Sequence, residues 1–184
     1  MVFSLKYIIL FCWFTIGFKQ DQPVKSWNES YRLSWSDFRA KPDNLVSAAA
    51  ITASGITFGF SIKQTDKNQV ISYSTEIHAH FYPESSWYKK GRADNHVLGH
   101  EQLHFDITEL YARKLRLRIG RLKVSNTIGK KLKEINESIN FELAEVQNRY
   151  DKETDFSRNQ ESQIKWKVYI QAELQKLSKF KSVD

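Results

Sequence analysis

The sequence predicts an α+β fold in which a small N-terminal antiparallel sheet packs on a helix and two long helices follow. Two patterns support this class. Residues 51–81 alternate apolar and polar side chains, which is typical of half-buried strands. Residues 95–179 instead repeat apolar side chains at intervals of three and four, the period of an amphipathic helix. Strands therefore precede helices along the chain, and we expect the sheet to pack on the first helix.

Three strands are predicted in the N-terminal half. Residues 31–35 alternate apolar and polar side chains and predict a short strand. Residues 51–63 and 69–81 alternate over longer stretches and predict the two main strands of the sheet. The polar residues 65–68 between them are typical of a hairpin loop, so these two strands are expected to pair antiparallel.

Three helices are predicted in the C-terminal half. The first begins at an N-cap, Asp94 or Asn95, and ends near Gly120. The second and third helices span about residues 125–150 and 160–179. The second carries a single apolar stripe, which indicates packing against the core.

Composition indicates one ordered domain. The chain has 184 residues, 41% hydrophobic content and 14% aromatic content, which suffices for a buried core and excludes disorder for most of it. The net charge is +7. Removal of Lys6 and Lys19 from the 28 basic residues leaves 26 against 21 acidic ones, or +5. This mild excess accompanies no recognition helix, zinc finger or Gly-rich phosphate motif, so nucleic acid is not expected as a partner.

Residues 1–20 have the pattern of a signal peptide. Lys6 supplies the positive n-region, and residues 7–18 form an apolar run that is too short to span a bilayer comfortably. An uncleaved N-terminal anchor is the alternative, and either one would provide the only contact with a membrane. We expect residues 21–184 to be a single exported domain, periplasmic or secreted. Because Cys12 is the only cysteine, the mature chain contains no disulfide.

The most specific motif is H-E-x-x-H, formed by His100, Glu101 and His104 in the first predicted helix. Histidines four residues apart lie on one helix face, so their imidazoles can bind one zinc ion at about 2.0–2.1 Å each. Glu101 lies about 100° around the helix, where it reaches a water beside the ion. The motif therefore predicts a zinc-activated water with Glu101 as the general base. The alternative is a surface helix with two solvated histidines.

A catalytic zinc usually has three protein ligands, so the third must come from outside the motif. His96 lies on the same helix stripe, but about 12 Å of helix separates it from His104, which is too far for one ion. We expect His96 to contact substrate at the mouth of the site instead. His80 shares a strand face with His78 and is expected to line the cleft or a polar sheet face. It is the second candidate for substrate contact.

A polar break at residues 150–157 offers carboxylates for the third ligand. This segment follows the second long helix and can fold back over the first. Asp151 is the preferred candidate, and Glu153 and Asp155 are the alternatives. If these acids bind no metal, they cap helix ends.

Five segments spread over the mature chain carry a family resemblance. They are residues 33–38 (LSWSDF), 49–56 (AAITASGI), 81–87 (FYPESSW), 100–109 (HEQLHFDITE) and 150–154 (YDKET), joined by Gln163 and Trp166. In these segments the chain resembles the bacterial secreted zinc-dependent protease family, also catalogued as domain of unknown function 922. The resemblance implies an exported, zincin-like metallopeptidase in which His100 and His104 bind zinc and Glu101 is the base. One position departs from the family pattern, because Phe156 stands where many members have a histidine.

The predicted function is that of a zinc-dependent hydrolase, specifically a metallopeptidase that acts on a peptide or protein substrate and uses Zn²⁺ as its cofactor. A sheet edge beside the helix is expected to hold the substrate by strand addition. The alternative, motivated by Phe156, is an exported zinc-binding or scaffold protein without turnover. Chelator-sensitive cleavage that returns with zinc distinguishes the two functions, because the alternative predicts metal without cleavage.

Overall fold

The computed structural model describes residues 23–182 and the backbone of residues 8–13. Over these residues the fold is α+β, as predicted. The strands are β1 (Ile8–Trp13), β2 (Lys25–Ser26), β3 (Ala50–Ile51), β4 (Ser54–Gln64), β5 (Val70–Phe81) and β6 (Trp87–Tyr88). The helices are α1 (Asn95–Ile119), α2 (Ile128–Glu153) and α3 (Gln160–Lys176). No helix in this part of the chain is long and apolar enough to cross a membrane.

The main sheet is antiparallel, with the strand order β1-β4-β5-β2. Its centre is the hairpin of β4 and β5, in which Phe58 lies opposite Ile77. A backbone hydrogen bond of 2.9 Å from Thr65 to Gln69 closes the loop, where Asn68 has a left-handed φ of 58°. Asparagine is among the residues that tolerate this conformation. The predicted hairpin is confirmed.

Short strands lie at the edge of the main sheet and in a second, smaller sheet. β1 pairs with β4, with Ile8 opposite Gln64. β1 falls within the predicted signal peptide, residues 1–20, whose other residues lie outside the described part of the chain. A second sheet consists of β3 and β6, with Ile51 opposite Trp87. This small sheet runs close to the start of α1.

The two faces of the main sheet have different roles. One face is apolar and buried against α1, and Phe81 on it contacts the ring of Phe105 with centroids 5.8 Å apart. Because side chains alternate along a strand, His78 and His80 point to the other face. Their rings stack there, 5.6 Å apart. The sheet therefore presents its core face, and not its histidines, to the helix.

Helix α1 is the central element of the fold. It begins at the N-cap Asp94, whose side chain accepts a hydrogen bond of 2.9 Å from the backbone N–H of Val97. It ends before Gly120, so both predicted ends are confirmed. The main sheet, α2 and α3 all pack on it, which buries most of its length. The buried apolar residues of α1 include Leu103, Phe105, Ile107, Leu110, Ala112 and Leu115.

The predicted strand at residues 31–35 is wrong. The backbone N–H of Leu33 donates to the Gln102 side-chain oxygen at 2.8 Å, and the Gln102 amide donates to Asp106 at 2.9 Å. Asp106 also accepts from the indole of Trp27 at 2.8 Å. These polar bonds dock the segment on α1 instead of in a sheet. The alternating pattern could not reveal partners so distant in the sequence.

The end of α2 also differs from the prediction. The sequence placed a polar break at residues 150–157, but α2 remains helical to Glu153. Thr154 then caps it, with its hydroxyl donating to the backbone oxygen of Tyr150 at 2.7 Å. Asp151 therefore lies on the last turn of a helix. Its position is fixed by the packing of α2 on α1, not by a loop.

Candidate metal centre

Three side chains from two helices meet beside the first half of α1. His100 and His104 come from α1, and Asp151 comes from the last turn of α2. The Asp151 Oδ1 atom lies 3.0 Å from His100 Nε2 and 2.9 Å from His104 Nε2. The two Nε2 atoms are 3.2 Å apart. One potential ligand atom from each residue thus lies within 4.8 Å of the others, the arrangement of a candidate metal site.

The donor set fits a zinc ion. Two imidazole nitrogens and a carboxylate oxygen are common ligands of catalytic zinc. In a tetrahedral site with bonds of about 2.0–2.1 Å, the ligand atoms lie roughly 3.3–3.4 Å apart. The separations of 2.9–3.2 Å are slightly shorter. A small movement of the three side chains would therefore suffice to accommodate the ion.

The electrostatics of the cluster also favour a cation. Burial raises the pKa of the Asp151 carboxyl, but hydrogen bonds from His100 and His104 outweigh that effect and hold its pKa well below the usual range. Burial lowers the pKa of His104, but the hydrogen bond to Asp151 and the charge of Glu101 raise it more. A charged carboxylate is therefore held between the two imidazoles.

Glu101 follows His100 on α1, and its charge helps to raise the pKa of His104. It is 5% exposed. Among residues 23–182 its carboxylate makes no hydrogen bond or ion pair, whereas most other buried acids of the chain are paired. Its backbone oxygen accepts a hydrogen bond of 3.3 Å from the Thr52 hydroxyl, just after β3. An acid that the protein leaves without a partner is free to bind a water molecule.

Residues 32–160 match the family described as "Bacterial protein of unknown function (DUF922)". The chain belongs to that family. The match covers more than half of the chain and includes His100, His104 and Asp151. No curated protein and no solved structure matches the chain. The family description names neither a metal nor a reaction, so the chemistry of the site rests on its geometry.

His104 is held by hydrogen bonds in this DUF922 chain. Its Nδ1 atom faces the Gln147 side-chain oxygen on α2 at hydrogen-bonding distance. The Gln147 amide nitrogen lies 3.1 Å from the backbone oxygen of His104 and 3.3 Å from the Thr108 hydroxyl. Thr108, fully buried, shares a hydrogen bond of 2.7 Å with Ser54 of β4. A buried polar network thus connects one proposed ligand to α2 and to the sheet.

His100 is held by ring stacking. The Tyr150 ring lies nearly parallel to it, with centroids 4.5 Å apart and planes 20° apart. Tyr150 is fully buried and also contacts His104 edge-on at 4.9 Å. Burial raises the pKa of its hydroxyl far above the usual value, so Tyr150 acts as a neutral packing group. Within residues 23–182 the buried Nδ1 atom of His100 has no hydrogen-bond partner.

Four other residues predicted for the site do not join the cluster of His100, His104 and Asp151. The Glu153 carboxylate accepts from the Trp166 indole at 2.8 Å, and Asp155 pairs with Arg158 at 2.5 Å. His96 lies one turn before His100, and its Nε2 atom is 2.6 Å from the backbone oxygen of Ser157. His80 bonds to Thr57 at 2.8 Å on the outer sheet face. Of the three candidate acids, only Asp151 reaches the histidines.

Phe156 lies on a tight turn just after α2. Asp155, Phe156 and Ser157 all have left-handed φ angles, between 48° and 75°, which non-glycine residues rarely adopt. The Phe156 N–H donates to the Asp151 backbone oxygen at 2.8 Å, while the Phe156 residue is 63% exposed. The turn also brings Ser157 to His96. Phe156 thus stands close to the cluster in sequence and space, but the third residue of the cluster, Asp151, belongs to the helix before it.

Gln147 and Tyr150 are the two site residues whose roles the sequence did not reveal. Tyr150 belongs to the apolar stripe of α2, and the sequence analysis did not single out Gln147. One signal was available. Gln147 precedes Asp151 by four residues, so both share the helix face that the preferred third ligand occupies.

Proposed function

We propose that this protein is an exported zinc-dependent hydrolase, most specifically a metallopeptidase. The observation that carries the proposal is the convergence of His100, His104 and Asp151, with one atom of each inside a 4.8 Å cluster. Glu101 beside that cluster is the general base of the proposed reaction. The zincin-like arrangement of sheet, helix and ligands belongs to the same proposal.

The chemistry divides between the ion and the chain. A bound zinc ion supplies Lewis acidity, which lowers the pKa of a water molecule and polarises a carbonyl oxygen. His100, His104 and Asp151 would hold the ion. Glu101 would take a proton from the attacking water and pass it to the leaving amine. The burial of Glu101 strengthens its electrostatic interaction with the reacting groups.

The edge of β3 supports an extended peptide as substrate. Thr52, just after β3, bonds to the backbone of Glu101, so this edge runs beside the motif. Ile51 pairs with Trp87, and Lys89 N–H donates to the Ala49 oxygen at 2.8 Å. Backbone groups alternate in direction along a strand, so those of residues 50 and 52 face away from β6. A substrate strand adding there would lie along the H-E-x-x-H helix.

Export is part of the proposal and rests on residues 1–20. A charged n-region and a short apolar run are the physical signature of a cleaved signal peptide. Cleavage would remove β1 and make β4 the edge strand of the main sheet. N-terminal sequencing of the protein recovered from the periplasm or the medium checks this point, and a start near residue 21 is expected.

The test compares the parent domain (residues 22–184) with Glu101→Gln and with the exposed control Glu137→Gln, using fluorescently labelled casein as an unfolded protein substrate. Parent and control should cleave it, lose activity with a chelator and regain it with zinc. Glu101→Gln should keep its zinc and lose activity by about 10²–10⁴-fold, the usual value of a general base. Full activity in Glu101→Gln would contradict the mechanism.

The non-catalytic alternative has its own signature in the same assay. A parent that binds one zinc per chain and leaves casein intact at every zinc concentration would favour a zinc-binding or scaffold role. Phe156 was the reason for that alternative, since it occupies the position of a histidine in the family resemblance. Asp151 offers a third ligand without that histidine, which is why we favour the hydrolase.

A further inference from the structure

We infer that Gln147 is a positioning residue that accepts the Nδ1 hydrogen of His104 and so directs the Nε2 atom of that ring towards a metal. The inference rests on the metal site of the proposed function. It adds a residue outside the H-E-x-x-H motif whose task is to prepare one of the ligands before any ion binds.

The orientation of the Gln147 amide follows from its neighbours. A backbone carbonyl accepts hydrogen bonds and never donates them. The side-chain nitrogen of Gln147 must therefore face the His104 backbone oxygen, 3.1 Å away, and the Thr108 hydroxyl, 3.3 Å away. The opposite amide orientation would place two acceptors against each other. The amide oxygen of Gln147 is left facing His104 Nδ1.

The proton position on His104 then follows. An amide oxygen can only accept, so Nδ1 must carry the hydrogen that it donates to Gln147. The other nitrogen, Nε2, faces the Asp151 carboxylate, which also only accepts, so without an ion Nε2 donates to Asp151 and a bound metal would replace that hydrogen. Nε2 is the atom that lies 2.9 Å from Asp151 and 3.2 Å from the Nε2 atom of His100. Because Gln147 binds the hydrogen on Nδ1, Nε2 is the nitrogen that is directed at a metal in this cluster.

The Gln147 side chain is itself held rigidly. Thr108 donates from its hydroxyl to the His104 backbone oxygen at 3.1 Å and bonds to Ser54 at 2.7 Å. Thr108 is fully buried, so water does not compete for these bonds. The amide of Gln147 therefore has one low-energy arrangement, and the network reaches from β4 through α1 to α2.

The expected loss of zinc affinity on removal of Gln147 can be estimated from other protein metal sites. Partners that hydrogen-bond the second nitrogen of a ligating histidine fix its ring and raise its basicity, and their loss typically lowers metal affinity about 10–100-fold. Gln147→Met removes the acceptor and keeps the length of the side chain. Gln147→Glu keeps an acceptor for Nδ1–H and loses the amide donor. Affinity should therefore fall in Gln147→Met and fall less in Gln147→Glu, whose second carboxylate oxygen has no hydrogen to donate to the His104 backbone oxygen.

The first experiment needs no metal. Long-range ¹H–¹⁵N spectra of the imidazoles show which ring nitrogens carry a hydrogen, and they would be recorded on the ion-free domain. The parent and Gln147→Glu should show His104 protonated on Nδ1. Gln147→Met should show less hydrogen on Nδ1, because that hydrogen has lost its acceptor while Nε2 still faces Asp151. A parent without a hydrogen on Nδ1 would overturn the inference, as would a Gln147→Met spectrum identical to that of the parent.

The second experiment measures zinc affinity by competition with a chromophoric chelator, after circular dichroism has shown that each variant is folded. Gln147→Met should bind about 10–100-fold more weakly than the parent. Equal affinity of the parent and Gln147→Met would overturn the inference and leave the proposed function standing. A parent that carries the hydrogen on Nδ1 but binds no zinc would instead overturn the proposed function, and with it the role of Gln147 in metal binding.

Discussion

His100 and His104 occupy equivalent places on one face of α1, yet the protein supports them in different ways. His104 bonds through Nδ1 to Gln147, which belongs to a network that includes Thr108. His100 has a buried Nδ1 without a hydrogen-bond partner among residues 23–182 and stacks on Tyr150. Hydrogen bonds thus hold the proposed ligand His104, whereas ring stacking holds the proposed ligand His100.

The two supports fix different properties of a ligand. A hydrogen bond to Nδ1 determines which nitrogen carries the proton and also the rotation of the ring. A stacked aromatic ring determines the plane of the imidazole and leaves its tautomer open. We therefore expect the His104 side to respond to changes in hydrogen bonding, and the His100 side to respond to changes in ring volume. The predictions below separate these responses.

Tyr150→Ala should have the largest effect, because it removes the whole support of His100. Tyr150 is fully buried, and truncation of a buried aromatic ring typically costs about 3–5 kcal/mol of unfolding free energy. The loose His100 ring should also weaken zinc binding. Urea unfolding and chelator competition measure the two effects.

Tyr150→Phe is the matched control for that variant. It keeps the ring and removes a hydroxyl whose bond to the His100 backbone oxygen is long, at 3.4 Å. Zinc affinity should stay at the parent value, and stability should change by no more than about 1 kcal/mol. A large loss of zinc in Tyr150→Phe would show that the hydroxyl, and not the ring, supports His100.

Zinc itself should stabilise the domain, since in the proposed site it would bind the folded cluster and crosslink α1 to α2. At a free zinc concentration 100 times the dissociation constant, the gain is about 2.7 kcal/mol. A thermal melt with and without a chelator measures it, and the double variant His100→Ala/His104→Ala should show no difference between the two conditions. An equal zinc effect in the double variant would place the ion elsewhere.

Thr108→Val should have a smaller effect, confined to the His104 side. It removes the hydroxyl shared by Ser54, Gln147 and the His104 backbone while keeping the side-chain shape. We expect a loss of about 1–2 kcal/mol in stability, because buried polar partners are left unpaired. Zinc affinity should fall less than in Gln147→Met, since the Gln147 oxygen remains. A greater fall would assign the main support of His104 to Thr108.

The sequence correctly predicted those elements that depend on interactions between residues close together in the chain. The start of α1 at Asp94 and the loop at residues 65–68 depend on neighbours within a few residues, and both were predicted correctly. The strand at residues 31–35 was predicted wrongly, because its alternation is also compatible with a segment docked on Gln102. Nothing in the segment itself indicates that partner.

The residues of the candidate site likewise divide into those that local sequence spacing reveals and those that only the packing of α2 on α1 reveals. His100, Glu101 and His104 are recognisable because their spacing reflects one helix turn. Asp151 was only one of three candidate acids, because the contact between α1 and α2 spans 47 residues from His104. Gln147 and Tyr150 were missed for a further reason: glutamine and tyrosine are common on helices, and their role appears only when α2 is packed against the histidines.

The most direct test of the metal centre compares two acids on the same turn of α2. Asp151 faces the histidines and Glu153 bonds to Trp166, so only Asp151→Ala should affect the metal. The measurement is zinc per chain after reconstitution and gel filtration. We expect about one zinc in the parent and in Glu153→Ala, and far less than one in Asp151→Ala. Equal zinc content in all three proteins would contradict the assignment of Asp151 as the third ligand.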